Sequence, residues 1–346
     1  MISELIDKNK IEQLRHLIDE SGKIAITCHI APDGDALGSS LGLANVLRRL
    51  KKSVRVITPD TAPKVFKFLP RFKDIVVFSK SDRYASQILA DADLIFSLDY
   101  NDPYRIDRVA EPMLSSKARK VMIDHHLFPA DFVDVQISHP EVSSTSMLIF
   151  RVLCQLGLSS LINKEVATCI YTGMMTDTGN FSYNSNDPDL YLAISQLLRA
   201  GINKDEIYSR VFNNSTASRM RLNGFAISEK MKIFEEHRAA LITLTRKELN
   251  HFHYQKGDTE NLVNQPLTIP QMIYSFYLRE ESDYIKVSAR SRGDFPVNKI
   301  CEEHFGGGGH LNAAGGEFHV TMDEAIEKFL SILDECDGYL PESNNS

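Results

Sequence analysis

The chain has 346 residues, 43% of them hydrophobic and 25% charged, and a formal net charge of -7. That length exceeds one ordinary core and fits two domains, and the acidic balance excludes a general grip on long DNA or RNA, which needs many cations. No run approaches the roughly 20 apolar residues of a membrane helix, Met1 to Lys10 lacks the apolar core of a signal peptide, and the five scattered cysteines (Cys28, Cys154, Cys169, Cys301, Cys336) form no CxxC pair and read as free thiols of a cytoplasmic protein.

In chain order, Lys23 to Thr27 reads as a short apolar strand and Ala36 to Leu50 as a helix with apolar residues at helical spacing. Val54 to Thr58, Asp74 to Ser79, Leu94 to Leu98 and Val121 to Ile123 read as further strands. Alternation of strand and helix over the first 185 residues predicts an α/β domain with a mainly parallel sheet and flanking helices. Ser143-Ser144-Thr145 caps a helix over Met147 to Leu156, with Gly157 as its stop; presentation of that helix end to a phosphate is the alternative. Pro188 to Ala200 and Lys204 to Phe212 read as connecting helices. From Arg219 a long helix is predicted to about Glu236, then Ala239 to Thr245, a mixed segment, an alternating strand over Tyr284 to Ser291, a glycine run at 306–309 and a helix from Asp323 to Leu333. The expected division is residues 1–200, a connecting segment 201–225, and a smaller α+β domain 226–346. Glu342 to Ser346 is polar enough to be disordered.

Four groups with metal-binding side chains fall at predicted strand ends or turns: His29-Ile-Ala-Pro-Asp33-Gly-Asp35, then Asp99, then Asp124-His125-His126, then Asp177 within Thr176-Asp177-Thr178-Gly179. In open α/β sheets, ligands gather outside the carboxyl ends of the strands. Converging acids would repel one another unless cations shared them. Each piece alone has a plainer reading: Asp33 and Asp35 as helix caps, the His-His pair as structural, the Thr-Asp-Thr-Gly run as a loop. Their joint placement favours two divalent ions. Carboxylates and imidazoles without thiolates suit Mn²⁺ first, with Mg²⁺ or Co²⁺ as alternatives.

At these residues the chain resembles the DHH phosphoesterase superfamily, named for the motif at Asp124-His125-His126. Val287 to Arg292, with Phe305 to His310 and Ala313 to Gly316, resembles the DHHA1 nucleotide-binding domain. Gly257 to Asn264 is similar to a segment of the bacterial oligoribonuclease and bisphosphate-nucleotide phosphatase branch, the nanoRNases. The resemblance implies metal ligands His29, Asp33, Asp35, Asp99, His125 and Asp177, with Asp99 and Asp177 as bridging candidates. It implies a catalytic pair in which Asp124 orients an imidazole and His126 contacts the scissile phosphate or a water. It implies substrate contacts at Arg290, Ser291, Gly307, Gly308, Gly309 and His310, the glycines admitting a phosphate close to the backbone. Arg292 reads either as a further contact or as a surface charge.

The expected activity is hydrolysis of short oligoribonucleotides and linear dinucleotides to mononucleotides, and of 3′-phosphoadenosine 5′-phosphate to AMP, in a cleft between the two domains. Short RNA or DNA oligonucleotides, linear dinucleotides and nucleoside bisphosphates are the expected partners; no membrane is expected, and a homodimer is left open. An inorganic pyrophosphatase or polyphosphatase, and a non-catalytic nucleotide-binding regulator, are the competing readings.

Overall fold

The computed structural model describes residues 3–340. The polar tail from Glu342 therefore lies outside the described residues. The chain divides into two compact units, Met1–Asn214 and Ser215–Ser346.

The first unit runs α1 (Lys8–Glu20), β1 (Lys23–Thr27), α2 (Gly34–Arg49), β2 (Ser53–Thr58), β3 (Val76–Val77), α3 (Asp82–Ala90), β4 (Leu94–Leu98), α4 (Ala110–Ser115), β5 (Arg119–Asp124), β6 (Val135–Ser138), α5 (Thr145–Gln155), α6 (Lys164–Asp177), α7 (Pro188–Arg199) and α8 (Lys204–Phe212). Its six strands form an all-parallel sheet in the order β3-β2-β1-β4-β5-β6. Alternate side chains of β1 serve opposite faces: Ile24 and Ile26 enter the core formed with α1, α2, α5 and α6, while Ala25 joins Ile95 and the residues of α3 on the other side. This is the α/β domain expected from the alternation.

The details differ in places. The strand predicted over Asp74 to Ser79 shrinks to β3, two residues between single 3₁₀ turns, because only Ile57↔Val76 and Thr58↔Val77 pair at that sheet edge. Asp177 ends helix α6, not a strand or loop as expected; the whole of α6 went unread. The expected connecting segment is divided. Ile202, just before α8, and Ile207 of α8 belong to the first core, and Leu222 to a cluster of the second unit.

The second unit runs α9 (Ala217–Phe225), β7 (Lys232–Phe234), β8 (Ala239–Leu244), α10 (Arg246–His251), β9 (Tyr274–Glu280), β10 (Ile285–Ser291), α11 (Val297–His304), β11 (Gly307–His310), β12 (Ala313–Phe318), α12 (Met322–Ser331) and α13 (Leu333–Asp337). Its sheet, ordered β11-β12-β10-β9-β8-β7, is antiparallel except for the β8–β9 pair. The single helix predicted to Glu236 is a correction: α9 passes into a π turn over Ala226–Lys230, and Lys232–Phe234 instead pairs with β8. The glycine run forms a strand, β11, from Gly307 to His310. A Cβ on Gly307 would overlap the Gly315 carbonyl, and one on Gly309 would lie 2.5 Å from the Ala313 carbonyl oxygen. These glycines let two strands pack closer than any side chain permits.

One packing feature positions the chemistry. Helix α2 is buried from Gly34 to Leu47, and Gly34, Gly38 and Gly42 form a stripe toward α6. A Cβ on Gly38 would lie 2.6 Å from the Cys169 carbonyl oxygen and 2.9 Å from the Gly173 nitrogen. From the α6 side, a Cβ on Gly173 would overlap Ser146 Oγ of α5 and lie 2.7 Å from Asp35 Oδ1. Backbone therefore meets backbone where the three helices converge. Gly38→Ala should destabilise the protein by about 1–3 kcal/mol through overpacking. Gly224→Ala, whose methyl meets nothing within 4 Å, should stabilise it by about 0.5–1 kcal/mol, the helix-propensity gain. Denaturant unfolding of both variants checks the pair, and an unchanged midpoint for Gly38→Ala would contradict the close crossing.

Candidate metal centre

The strand order reverses between β1 and β4, the chain going outward to β2 and β3 from one and to β5 and β6 from the other. The loops after these two strands diverge, and a crevice opens at their carboxyl ends. Register does the rest. Thr27 pairs with Ser97, and Leu98 with Ile123. His29, Asp99 and Asp124 thus stand in line across three neighbouring strand ends.

Around Asp99 two donor sets meet. His29, Asp33 and Asp99 place ligand atoms within 4.8 Å of one another, as do Asp35, His125 and Asp177. Asp99 faces both ways: its Oδ2 lies 3.4 Å from His29 Nε2, and its Oδ1 lies 3.6 Å from His125 Nε2. His125 Nε2 is also 3.5 Å from Asp177 Oδ2. Asp99 sits at φ +64. Such left-handed backbone at a non-glycine residue is strained and concentrates at functional sites.

The surroundings prepare both imidazoles as ligands. His29 Nδ1 lies 2.7 Å from the Ile30 carbonyl oxygen, and His125 Nδ1 lies 3.1 Å from that of Val142. A carbonyl can only accept, so each Nδ1 carries the proton and each Nε2 is turned to the carboxylates. The third histidine is held differently. His126 Nδ1 donates to Asp124 Oδ1 at 2.7 Å, and the His126 backbone N–H donates to Asp124 Oδ2 at 3.0 Å. Asp124 is fully buried and orients His126 through Nδ1; among the described residues no hydrogen bond engages the His126 Nε2.

Asp35 and Asp99 are almost wholly buried and Asp177 mostly so. Asp35 accepts from the Thr145 N–H at 2.7 Å and the Ser146 N–H at 2.8 Å. The start of α5, weighed from sequence as a phosphate site, holds this carboxylate instead, while Ser144 caps the helix through the Met147 N–H. Thr145 Oγ1 also donates to Asp99 Oδ1 at 2.9 Å. Thr145 and Ser146 were missed as positioning residues. Their signal, a cap sequence, was visible but not its target.

Charge is unevenly shared. Burial, then repulsion from Asp99 and Asp177, drives the Asp35 carboxyl well above the usual carboxylate range. Burial pushes Asp177 up to about 7 against the pull of His125, with Asp99 and Asp33 adding repulsion. Burial would also raise Asp99, yet its hydrogen bond to His29 and the three neighbouring imidazoles hold it down to about 2. Burial opposes the charge on His29, but Asp33 and Asp99 raise it to about 10. Protons thus sit where cations could serve, and the donor set, all oxygen and imidazole, fits hard divalent ions.

The DHH family, N-terminal domain, matches residues 23–174, and the DHHA1 domain matches residues 240–336. The chain belongs to the DHH family. This DHH chain is 29% identical over 320 residues to the bifunctional oligoribonuclease and PAP phosphatase NrnA of Thermus thermophilus, a match covering 91% of this chain and 90% of that one. It superposes with TM-score 0.94 on the crystal structure of an exopolyphosphatase-related protein from Bacteroides fragilis, at 46% identity and over 97% of this chain and 99% of the other. RecJ of Thermus thermophilus, crystallised with Mn²⁺, shares the fold at TM-score 0.56 and 13% identity, covering 99% of this chain and 56% of RecJ.

In the DHHA1 unit the sequence-predicted contacts separate. Arg290 is half-buried and donates to the Ala289 and Ala314 carbonyls at 2.8 and 3.5 Å. Gly308 and Arg290 border one open hollow of about 500 Å³. His310 ends the edge strand, exposed. Ser291 is a correction. One residue along β10 from Arg290, it faces the core side, and its hydroxyl is engaged by the Phe295 carbonyl at 2.7 Å and the Asn312 amide at 2.9 Å. Gly307 and Gly309 serve strand packing, and Arg292 is tied to the Leu267 carbonyl.

Metal uptake must displace protons. Because the values for Asp177 and His29 are raised, divalent-ion affinity should rise with pH from about 6 through 9 and fall as Asp177 protonates below about 7. Calorimetry with Mn²⁺ in buffers of different ionisation enthalpy should show proton release at about pH 7. Equal heats in all buffers would contradict the protonated apo site.

Proposed function

We propose that this chain is a divalent-metal phosphoesterase that hydrolyses short oligoribonucleotides and linear dinucleotides to mononucleotides, and 3′-phosphoadenosine 5′-phosphate to AMP. The observation that carries this reading is the meeting of two carboxylate–imidazole sets at the sheet's switch point, Asp99 belonging to one and lying 3.6 Å from His125 of the other. The match to NrnA over nearly the full length of both chains supports the substrate class.

His29, Asp33 and Asp99 would hold one ion, and Asp99, Asp35, His125 and Asp177 the other, with Mn²⁺ as in RecJ the first choice. Bound there, two such ions supply Lewis acidity to the phosphoryl oxygens and the leaving oxygen, and acidify water to a nucleophile near neutral pH. The chain's own residues do the positioning. The amides of Thr145 and Ser146 fix the Asp35 carboxylate before any ion arrives. Asp124 fixes the His126 ring, so that Nε2 can hydrogen-bond a phosphate oxygen or a water. The second unit, by itself, offers a nucleotide the guanidinium of Arg290, an uncluttered strand edge at Gly308 and the imidazole of His310.

A second reading, hydrolysis of pyrophosphate or polyphosphate, is favoured by the likeness to the exopolyphosphatase-related protein. A substrate panel separates the two: with Mn²⁺, dinucleotides and 3′-phosphoadenosine 5′-phosphate should turn over at least tenfold faster than pyrophosphate or polyphosphate, and the reverse order would install the second reading. Asp99→Asn should abolish both metal uptake and turnover, since one ligand lost from a shared carboxylate disrupts both ions. Asp124→Asn should keep metal binding and lower kcat by roughly 10²–10⁴, the range for misdirected imidazoles in acid–base catalysis. Metal titration beside steady-state kinetics reads the two apart, and wild-type turnover by Asp99→Asn would end the proposal.

A further inference from the structure

A large apolar side chain left in water forgoes the free energy of burying it, so its location is informative where several collect. Among the described residues of the first unit, the four most exposed large hydrophobic side chains are Tyr104 (91%), Phe128 (87%), Leu127 (61%) and Tyr183 (59%). All four stand on segments that lead away from the metal centre. Leu127 and Phe128 directly follow His126, Tyr104 lies in the 3₁₀ segment Pro103–Val109 just after Asp99, and Tyr183 lies in the turn after Asp177.

These segments are tied to one another. The Asn101 side-chain amide donates to the Leu127 carbonyl at 2.6 Å and to the Phe128 carbonyl at 3.4 Å, and the Ala130 N–H donates to the Asn101 carbonyl at 2.8 Å. The loop after Asp99 and the loop after His126 are thereby clasped side by side. The Ile30 N–H donates to the Arg105 carbonyl at 2.8 Å, which joins the loop after His29 to the same frame. Asp102 Oδ1 accepts from the Tyr104 N–H at 2.9 Å and fixes the turn that carries the tyrosine. Phe128 itself sits at φ +59, a left-handed backbone that costs free energy at a non-glycine residue and persists only where the surroundings impose it. On the α6 side, a Cβ on Gly179 would overlap the Tyr183 ring, so the bare turn makes room for a third aromatic beside Asp177. Rings held on ordered loops lose little freedom when a ligand covers them.

We propose that Tyr104 and Phe128 form a stacking platform for a nucleobase of the substrate, beside the metal centre of the first unit. The proposal rests on the nucleotide-hydrolase reading and deepens it. A phosphodiester drawn to the metal centre brings its bases one sugar away from the phosphorus, and the two clasped loops present aromatic faces beside that centre. Every base has a π-face, so such a platform gives affinity without choosing a sequence, and the bases that stack best gain most. Pyrophosphate and polyphosphate carry no base and gain nothing from the rings.

The test compares, in Mn²⁺ and with the full-length protein, diadenylate with an analogue that carries hydrogen in place of both adenines. Diadenylate should show the lower KM by about 5- to 150-fold, the range for stacking one base on an aromatic side chain. Phe128→Ala and Tyr104→Ala should each shrink that ratio toward unity, and Phe128→Trp, which restores a ring, should recover it. Both side chains lie in solvent, so neither loss opens a cavity. Equal KM values in the wild-type protein, or alanine variants that keep the full ratio, would overturn the platform. So would variants that keep the ratio and change the sedimentation coefficient, which would make these rings a contact between copies of the chain. Calorimetric titration of the Mn²⁺-loaded protein with the same two compounds reads the ratio without turnover. If neither compound is cleaved yet the alanine variants lose the preference in binding, the platform stands and the proposed reaction falls.

Discussion

Mutual repulsion among buried carboxylates is the constraint on which the first unit depends. Asp35, Asp99 and Asp177 are withdrawn from water within reach of one another and of three imidazoles. Removing one such ion from water costs several kcal/mol even after relaxation, and marginal protein stability cannot absorb that repeatedly. The protein answers with fixed partners: the α5 amides on Asp35, the Thr145 hydroxyl on Asp99, raised proton affinities on Asp35 and Asp177. Divalent cations held by these donors would complete the balance.

That arrangement needs helices closer than ordinary side chains allow. The stripe of Gly34, Gly38 and Gly42 on α2 lets α6 approach until Gly173 touches Asp35 and Ser146. The same approach carries Asp177, at the last turn of α6, to His125. Core packing and metal geometry are therefore one problem here. A methyl group inserted at the crossing displaces ligands several residues away, because dense interiors transmit strain.

The second unit reverses the electrostatics. Among the described residues, Lys286 and Arg290 on its β10 face have no carboxylate oxygen within 4.0 Å, where the first unit carries surplus acids. Glycines on β11 and β12 keep one side of that face low and open, and the loop from Lys256 raises a wall on the other. Each unit by itself offers groups that a phosphate ester could use: acids and imidazoles able to hold cations in the first, a guanidinium and ammonium groups in the second.

Much of this was legible in the chain. Strand–helix alternation determined the α/β class of the first unit, and the spacing of His29, Asp33, Asp35, Asp99 and Asp124-His125-His126 marked the strand ends where the donors now lie together. Those signals are local, since side-chain periodicity and cap chemistry act within a few residues. Other features were decided by partners distant in sequence. Helix α6 hid because it is apolar nearly all round and shows no amphipathic period. The glycine run gave no strand signal, because only pairing with β12 makes it a strand. Lys232–Phe234 looked helical until β8 offered it an edge. Ser291 and Arg290 looked equivalent, and the pleat of β10 sent them to opposite faces. Composition and spacing alone established which groups could bind metal and phosphate; tertiary packing decided which of them face each other, because Coulomb and hydrogen-bond energies fall off over a few ångströms that only the folded backbone sets.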